Sequence, residues 1–257
     1  MRPRDDRRGP RGSAPGRRPE RAHGDAAILY GWHPVAEALA NEGRPLRRLL
    51  ATENAAARLA EAFPAPRIAP EIVRPAAITA LLGPDAVHQG LYLEADPLPA
   101  PGLDDLPADA LLLALDQITD PHNVGAIVRT AAAFGVAGIV TTLRHSPAAT
   151  GVLAKAASGG LEHVPMIAVR NLAEALIALG ERGTLRIGLD SEAGSDLGTV
   201  PIRRPAVIVL GAEGRGLRER TRGCCDVLAR IPLSGAITSL NVSNAAAIAL
   251  YALRAAE

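Results

Sequence analysis

Apolar and polar positions alternate in short blocks along the chain after residue 25. In the first part, this pattern predicts strands over residues 46–52 and 90–95 and helices over residues 55–63 and 75–82. An earlier helix includes Pro34, which suits a first helical turn, and Gly43 suits its end. The first part is therefore predicted to be a small α/β unit.

From residue 110 the apolar runs become continuous. Residues 110–115 read Ala-Leu-Leu-Leu-Ala-Leu, and similar runs occur at residues 138–141, 185–189 and 206–210. Helical patterns lie between them, including residues 172–179, where Asn171 and Glu174 form a variant of a capping box. Continuous apolar strands that alternate with helices indicate a parallel sheet covered on both faces.

Proline-rich residues 97–107 separate these two parts. Prolines at 97, 99, 101 and 107 neither continue a helix nor join the interior of a sheet. We therefore predict a disordered tail over residues 1–24, a small domain over residues 25–96, a linker over residues 97–107 and a larger domain over residues 108–257.

Charge and cysteine content narrow the class of protein. Residues 1–24 carry eight arginines against three acidic residues, whereas the whole chain has a net charge of only +1. Such a tail suits non-specific binding to RNA phosphates, and a passive solubilising role is about equally compatible. Adjacent Cys224 and Cys225 favour neither a disulfide framework nor a metal site. No apolar run reaches the roughly 20 residues of a membrane span, so we expect a cytoplasmic protein.

Three loops that follow predicted strands carry unusual residues. Residues 116–130 lead from a strand into a helix and include Asn123 and Arg129, which a capped helix with a surface arginine would equally explain. Residues 211–216 contain three glycines and Glu213. Residues 231–244 bring four small polar side chains to the start of an apolar helix. In parallel α/β folds, ligands bind at such loops.

The last helix is apolar on every side. From Ala245 to Leu253 each residue is apolar or Tyr251. A helix of this kind needs cover on more than one face, so we predict a homodimer formed through it.

Together the three loops resemble the SpoU (TrmH) family of the SPOUT superfamily. The matching segments are Asp-Pro-His-Asn-Val-Gly at 120–125 with Arg129, Gly-Ala-Glu-Gly-x-Gly at 211–216, and Ser-Leu-Asn-Val-Ser at 239–243. The preceding unit, with Tyr-Gly-x-His-Pro-Val at 30–35 and His-Gln-Gly at 88–90, is similar to the L30e-like RNA-binding domain of the group that methylates a guanosine ribose of 23S ribosomal RNA.

This resemblance implies a fold and a reaction. The expected fold is α/β, with a SPOUT-type parallel sheet and a trefoil knot in the C-terminal part. The expected activity is methyl transfer from S-adenosylmethionine to a ribose 2′-hydroxyl of RNA, without a metal. By the same resemblance, the cofactor would contact Gly211, Gly216, Ile231, Leu233 and Leu240, and the methyl group would be surrounded by Asn123, Arg129, Glu213, Ser239 and Asn241.

Arg129 is assigned the role of base in this family, but a guanidinium stays protonated. We predict instead that Arg129 holds a phosphate and stabilises the developing alkoxide. Other expected RNA contacts are the arginines Arg44, Arg47 and Arg48. His33 and His88 are also expected to contact RNA, and a purely structural role for each would explain them equally well.

The sequence can be compared with three alternatives to methylation of ribosomal RNA. Transfer RNA is the alternative substrate, and a non-catalytic RNA-binding homologue would show damaged motifs, which this chain does not. A dinucleotide-binding enzyme would carry Gly-x-Gly-x-x-Gly after its first strand, and residues 116–123 contain no glycine.

Overall fold

The computed structural model describes residues 26–144 and 151–255. The predicted disordered tail over residues 1–24 lies outside these residues. The described residues form two sheets, one of four strands and one of seven. Both predictions of an α/β unit are confirmed by this arrangement.

The first unit is a mixed sheet with three helices. Its elements are β1 (Ala27–Tyr30), α1 (Trp32–Ala40), β2 (Leu46–Ala51), α2 (Glu53–Ala62), β3 (Glu71–Ile72), α3 (Pro75–Leu82) and β4 (Leu91–Ala95). The strand order is β1-β4-β2-β3, and β4 runs antiparallel to both neighbours. The two-residue strand β3 is exposed, which explains why no apolar pattern predicted it.

The second unit is a parallel sheet between helices. Its elements are β5 (Leu111–Asp116), α4 (Pro121–Ala133), β6 (Gly138–Thr142), α5 (Gly151–Ala157), β7 (Met166–Val169), α6 (Leu172–Glu181), β8 (Leu185–Leu189), β9 (Ser195–Asp196), β10 (Ala206–Gly211), α7 (Glu219–Arg222), β11 (Val227–Arg230) and α8 (Val242–Ala255). The strand order is β7-β6-β5-β10-β8-β11-β9, and all pairs are parallel.

The two central strands of this sheet, β5 and β10, are buried on both faces. All six residues of β5 are buried, and β10 is buried except at Gly211. Alternate side chains of β5 belong to two separate apolar clusters, one on each face of the sheet. The continuous apolar runs therefore arose because helices cover both faces.

Helices α4, α5 and α8 pack together on one face. Gly125 permits the close crossing of α4 and α5, because a Cβ there would lie 2.8 Å from the Leu153 carbonyl oxygen and 2.9 Å from the Ala157 nitrogen. Helix α8 buries one side against this cluster, while Ile248 and Tyr251 are 41% and 68% exposed. Its apolar sequence is thus only partly explained by the core of one chain.

The two units are joined by side chains of α5 and of the turn after it. Ala154 of α5 packs in the core of the first unit, and Lys155 Nζ donates to the Val87 carbonyl oxygen at 2.7 Å. Glu162 forms a buried ion pair with Arg44 and accepts a hydrogen bond from Asn41 at 2.8 Å. These contacts fix how the first unit sits on the second.

The proline-rich segment is only partly a free connection. A short 3₁₀ turn covers Leu103–Asp105, and Arg182 Nη1 donates to the Leu103 carbonyl oxygen at 2.7 Å. Leu106 packs into the core of the second unit. The end of the predicted linker therefore already belongs to the second unit structurally.

Candidate functional site

Three loops meet at the carboxyl edge of the parallel sheet. Strands β5 and β10 are neighbours, and their last residues, Asp116 and Gly211, lie side by side in register. Strand β11 ends at Arg230 beside β8, and the chain then passes through residues 231–241 to the start of α8. Segments far apart in sequence are thereby brought to one edge.

Helix α4 begins at a cap that is not Asn123. The Asp120 side chain accepts hydrogen bonds from the backbone nitrogens of His122 and Asn123 at 3.1 and 3.3 Å, and Pro121 occupies the first helical position. The explanation of Asn123 as the cap is therefore wrong. Its side chain is left available for contacts outside the helix.

Asn123, Glu213 and Asn241 form a closed triangle of hydrogen bonds. Asn241 Nδ2 donates to Glu213 Oε1 at 2.7 Å and to Asn123 Oδ1 at 2.9 Å. Asn123 Nδ2 donates to the same Glu213 oxygen at 3.2 Å. One side chain from each of the three sequence segments takes part, so the triangle fixes the segments relative to one another.

Glu213 and Asn241 also stabilise the start of α8. The backbone nitrogen of Val242 donates to Glu213 Oε1 at 3.4 Å, and that of Ser243 donates to Asn241 Oδ1 at 2.9 Å. A carboxylate is favourable here because the helix N-terminus is electropositive. Asn241 therefore caps α8 and contacts the other two segments at the same time.

The glycines of the second segment allow its loop to fold back over the end of β10. Gly216 N donates to the Ala212 carbonyl oxygen at 2.8 Å, which closes a tight turn, and Gly214 and Gly216 have φ angles of 75° and 64°. A Cβ on Gly211 would lie 2.5 Å from the Leu217 nitrogen. Only glycine fits Gly211, because backbone occupies the space of a side chain.

Behind the triangle lies a cavity of about 350 Å³. Its wall combines the glycine loop with apolar side chains at the ends of β8, β10 and β11, and Asp190 and Ser191 after β8 add polar groups. The five residues predicted to contact the cofactor all line it: Gly211, Gly216, Ile231, Leu233 and Leu240. Glu213 and Ser239 line it as well, whereas Asn123, Arg129 and Asn241 do not.

Arg129 lies on the exposed side of α4, six residues beyond Asn123. It has no hydrogen bond or ion pair with any residue of 26–144 or 151–255. A charged guanidinium without a partner remains available for an anionic ligand.

Asp116 is a residue of this edge that the sequence did not single out. Its carboxylate is buried and accepts from Arg218 Nε at 2.7 Å and from the Arg218 backbone nitrogen at 3.0 Å. This pair ties the end of β5 to the chain beyond the glycine loop. An aspartate that ends an otherwise apolar strand was the available signal, since a buried carboxylate requires a partner.

The two histidines of the first unit that were predicted to contact RNA lie in different surroundings. His33 is exposed, whereas His88 accepts from Gly90 N at 3.0 Å through Nδ1 and lies 3.2 Å from Thr79 Oγ1 through Nε2. Burial, and then the charge of Lys155, lower the pKa of His88. Both ring nitrogens have partners, so His88 has a structural role whether or not it meets RNA.

The candidate arginines of the first unit are paired with carboxylates. Arg48 makes a two-pronged contact with Glu71 at 3.0 and 2.7 Å, and Arg47 contacts Asp96 at 2.5 Å. Both remain partly exposed and stay predicted RNA contacts. The expectation for Arg44 is wrong, because this side chain is buried in its pair with Glu162.

The described residues offer neither a reactive thiol at Cys225 nor a cluster of metal ligands. Burial raises the pKa of Cys225 to about 12, so this thiol is not a ready nucleophile. In the part of the chain that the structure describes, no group of three or more His, Cys, Asp or Glu side chains is arranged to hold a metal ion. Over the same residues, no helix is both long and apolar enough to cross a bilayer.

A parallel α/β sheet with a glycine loop and an Asn-Glu-Asn triangle at its carboxyl edge is a ligand-binding α/β domain. Its family follows from the matches to known proteins. The SpoU rRNA Methylase family model matches residues 110–251, and the model for RNA 2′-O ribose methyltransferase substrate binding matches residues 28–101. The chain belongs to the SpoU rRNA methylase family.

Relatives and solved structures agree with this assignment. The chain is 37% identical to the 23S rRNA (guanosine-2′-O-)-methyltransferase RlmB of Ralstonia nicotianae, over 87% of this chain and 93% of that protein. It is 41% identical to RlmB of Pseudomonas aeruginosa, over 65% of this chain and 70% of that protein. The SpoU methyltransferase AviRb of Streptomyces viridochromogenes, crystallised with AdoMet, superposes with a TM-score of 0.76 at 26% identity, covering 93% of this chain and 94% of that one.

Proposed function

We propose that this chain transfers a methyl group from S-adenosylmethionine to the ribose 2′-hydroxyl of a guanosine in 23S ribosomal RNA. The observation that carries the proposal is the Asn123–Glu213–Asn241 triangle, which joins the three family motifs beside one cavity. The names and coverage of the RlmB relatives support the choice of ribosomal RNA.

The cavity fits S-adenosylmethionine in size and chemistry. A volume of about 350 Å³ lies within the range of small-molecule sites. The glycine loop brings backbone to the cavity wall where side chains would fill the space, and Ile231, Leu233 and Leu240 supply apolar contacts. The cofactor, when bound, provides a sulfonium that gives up its methyl group to a nucleophile. The residues of the chain must then position the ribose and stabilise its oxygen.

Arg129 is proposed to bind the phosphate next to the acceptor ribose and to stabilise the alkoxide as it develops. The absence of a partner in residues 26–144 and 151–255 supports this role, because the guanidinium needs no bond broken before RNA binds. A permanently charged group stabilises the oxygen without accepting its proton, which would pass to solvent water as the oxygen takes up the methyl group and S-adenosylhomocysteine is left. Ser239 at the cavity wall, and the triangle beside it, would orient the ribose.

The rest of the molecule is assigned on the same family basis. Residues 25–96 would form an L30e-like RNA-binding domain, residues 97–107 the linker and residues 108–257 the methyltransferase domain with a trefoil knot. His33, His88, Arg47 and Arg48 would contact RNA. The exposed Ile248 and Tyr251 support a homodimer formed through α8. The arginine-rich residues 1–24 would add non-specific affinity for RNA in the cytoplasm.

The decisive experiment is methyl transfer from labelled S-adenosylmethionine into unmodified 23S ribosomal RNA and unmodified transfer RNA, followed by mapping of the modified nucleotide. We expect label on one guanosine ribose of 23S RNA. Label confined to transfer RNA would overturn the substrate, and label on a base would overturn the reaction. Cofactor binding without transfer to either RNA would identify a non-catalytic homologue.

Arg129 is tested in the same assay across pH. Arg129→Lys keeps the charge but loses the planar, two-pronged geometry, so transfer should fall while cofactor affinity is unchanged. A rate that is level around neutral pH and unaffected by Arg129→Lys would contradict both the base role and the phosphate role.

A further inference from the structure

A second pocket opens at the same carboxyl edge of the parallel sheet, beyond β5. Its volume is about 300 Å³, and it lies where β6 and β7 end and α6 begins. The polar residues that line it include Thr142, Arg144, Arg170, Asn171, Arg218 and Arg220. We refer to it as the arginine pocket.

The arginine pocket has an excess of positive charge. Its four arginines face two neighbouring carboxylates: Asp116, which holds Arg218 Nε at 2.7 Å, and Glu174, which lies 3.6 Å from Arg220. Two of the four positive charges therefore have no acidic partner within residues 26–144 and 151–255. Arg144 and Arg170 are exposed and have no ion pair or hydrogen bond with the residues that the structure describes.

Thr142 provides an independent indication of a ligand. The residue is 5% exposed, lines the pocket, and has a buried Oγ1 without a hydrogen-bond partner in residues 26–144 and 151–255. An unsatisfied buried hydroxyl is destabilising and uncommon in folded proteins. A ligand oxygen in the pocket would accept a hydrogen bond from this hydroxyl.

The N-terminus of α6 adds to the positive potential at the arginine pocket. Asn171 caps this ten-residue helix by accepting from the backbone nitrogens of Ala173 and Glu174, and the positive end of the helix faces the pocket residues Leu172 and Ala173. A helix N-terminus, unpaired guanidinium groups and a free hydroxyl together match the oxygens of a phosphate group.

We infer that the arginine pocket binds a backbone phosphate of the substrate RNA, away from the nucleotide that is methylated. The inference rests on the proposed function for the identity of the RNA. Strands β6 and β7 are two and three positions from β10 in the sheet, which corresponds to roughly 10–15 Å along the edge. One RNA segment can therefore span the triangle and the pocket.

The buried Asp116–Arg218 pair connects the two places. Asp116 ends β5, the strand that leads to Asn123, and it holds Arg218 through both the backbone nitrogen and Nε. These two hydrogen bonds hold Arg218 in place, and Arg218 also lines the arginine pocket. The same edge would then read the acceptor ribose at one end and a more distant phosphate at the other.

The test measures affinity of the full chain for a 23S RNA fragment as a function of salt. Arg170→Gln should weaken binding about five- to eightfold near 0.1 M salt and reduce the slope of log affinity against log salt by about 0.7–0.9, the effect of losing one phosphate contact. Arg203→Gln is the matched control, because this exposed arginine precedes β10 at the opposite edge of the sheet. Equal effects of the two substitutions would overturn the inference.

Thr142→Val separates binding from folding. Valine has nearly the same shape and removes an unsatisfied hydroxyl, so stability should be unchanged or higher, whereas RNA affinity should fall. Unchanged RNA affinity would contradict the inference. A titration with inorganic phosphate tests whether the pocket binds free phosphate instead of RNA. If Arg170→Gln weakens phosphate binding but not RNA binding, the pocket binds a free anion and the RNA assignment is wrong.

Failure of this inference is distinguishable from failure of the proposed function. A parent chain that binds the RNA fragment but transfers no methyl group contradicts the function, while the salt slopes of the variants still test the pocket. Normal methyl transfer together with identical slopes for the parent chain and Arg170→Gln contradicts the pocket alone.

Discussion

Asn241→Asp separates the two roles that Asn241 has at the start of α8. The aspartate has the same shape and caps a helix as well as asparagine does, and its charge suits the helix N-terminus. It cannot donate, however, to Glu213 Oε1 or Asn123 Oδ1, which Asn241 Nδ2 reaches at 2.7 and 2.9 Å. The substitution should therefore preserve the helix and open the triangle.

The expected size of the effect follows from the lost contacts. A hydrogen bond to a charged group contributes about 1.5–3 kcal/mol, and the lower value applies because these side chains are exposed. Because about 1.4 kcal/mol corresponds to a factor of ten in rate, methyl transfer should fall at least roughly tenfold. Repulsion between the new carboxylate and Glu213 would increase the loss.

The assay combines single-turnover methyl transfer, cofactor affinity and thermal unfolding. Asn241→Asp should lose only the stability that the triangle contributes, about 1.5 kcal/mol, whereas Asn241→Ala should lose about 1 kcal/mol more because the cap is lost as well. Asn244→Asp, with the same charge change three residues later and no contact with the triangle, should transfer at the parental rate. Parental transfer by Asn241→Asp would refute the view that the triangle aligns the site.

Two further predictions concern the scaffold. Gly125→Ala should lower the free energy of unfolding by about 1–3 kcal/mol, because the new Cβ would lie 2.8–2.9 Å from backbone atoms of α5 that cannot move by themselves. Gly198→Ala is the control in chemical denaturation, since a Cβ there meets nothing within 4 Å. Equal stability of the two variants would contradict the packing argument. The free energy of unfolding should also fall as pH drops below 6.5, because burial and Lys155 hold the pKa of His88 below that value in the folded chain, so the unfolded chain binds the proton first. Denaturation of His88→Gln should show a weaker pH dependence over this range than that of the control His33→Gln, and identical curves would contradict it.

Much of the second unit was predictable because its signals are local. Residues 185–189 form β8 as predicted, and β5, β6 and β10 differ from prediction by one residue at one or both ends. Asn171 caps α6 as expected, since a cap depends only on the next three residues. Strand β9 (Ser195–Asp196) has no apolar residue to mark it, whereas β7 (Met166–Val169) and β11 (Val227–Arg230) are short apolar runs that were missed.

Contacts between distant segments were predictable only where a motif connected them. The joint resemblance of the three segments to one family predicted that Asn123, Glu213 and Asn241 lie around one site, and their side chains are hydrogen-bonded to one another. Asp116 and Arg218, separated by 102 residues, offered no such link. The partners of Arg44 and Arg48 were missed for the same reason, because a sequence does not show which carboxylate lies on a neighbouring strand or unit.

Helix α4 connects the candidate site to the orientation of the first unit. Its outer residues include Asn123 and Arg129, and its inner face packs on α5, whose Ala154 lies in the core of the first unit. Gly160 presses on the same helix, since a Cβ there would lie 3.1 Å from the Val128 carbonyl oxygen and 3.2 Å from the Arg129 Cα. A shift of α5 would therefore move the first unit and Arg129 together. The unit that is proposed to bind RNA and the group that is proposed to hold its phosphate share one rigid support.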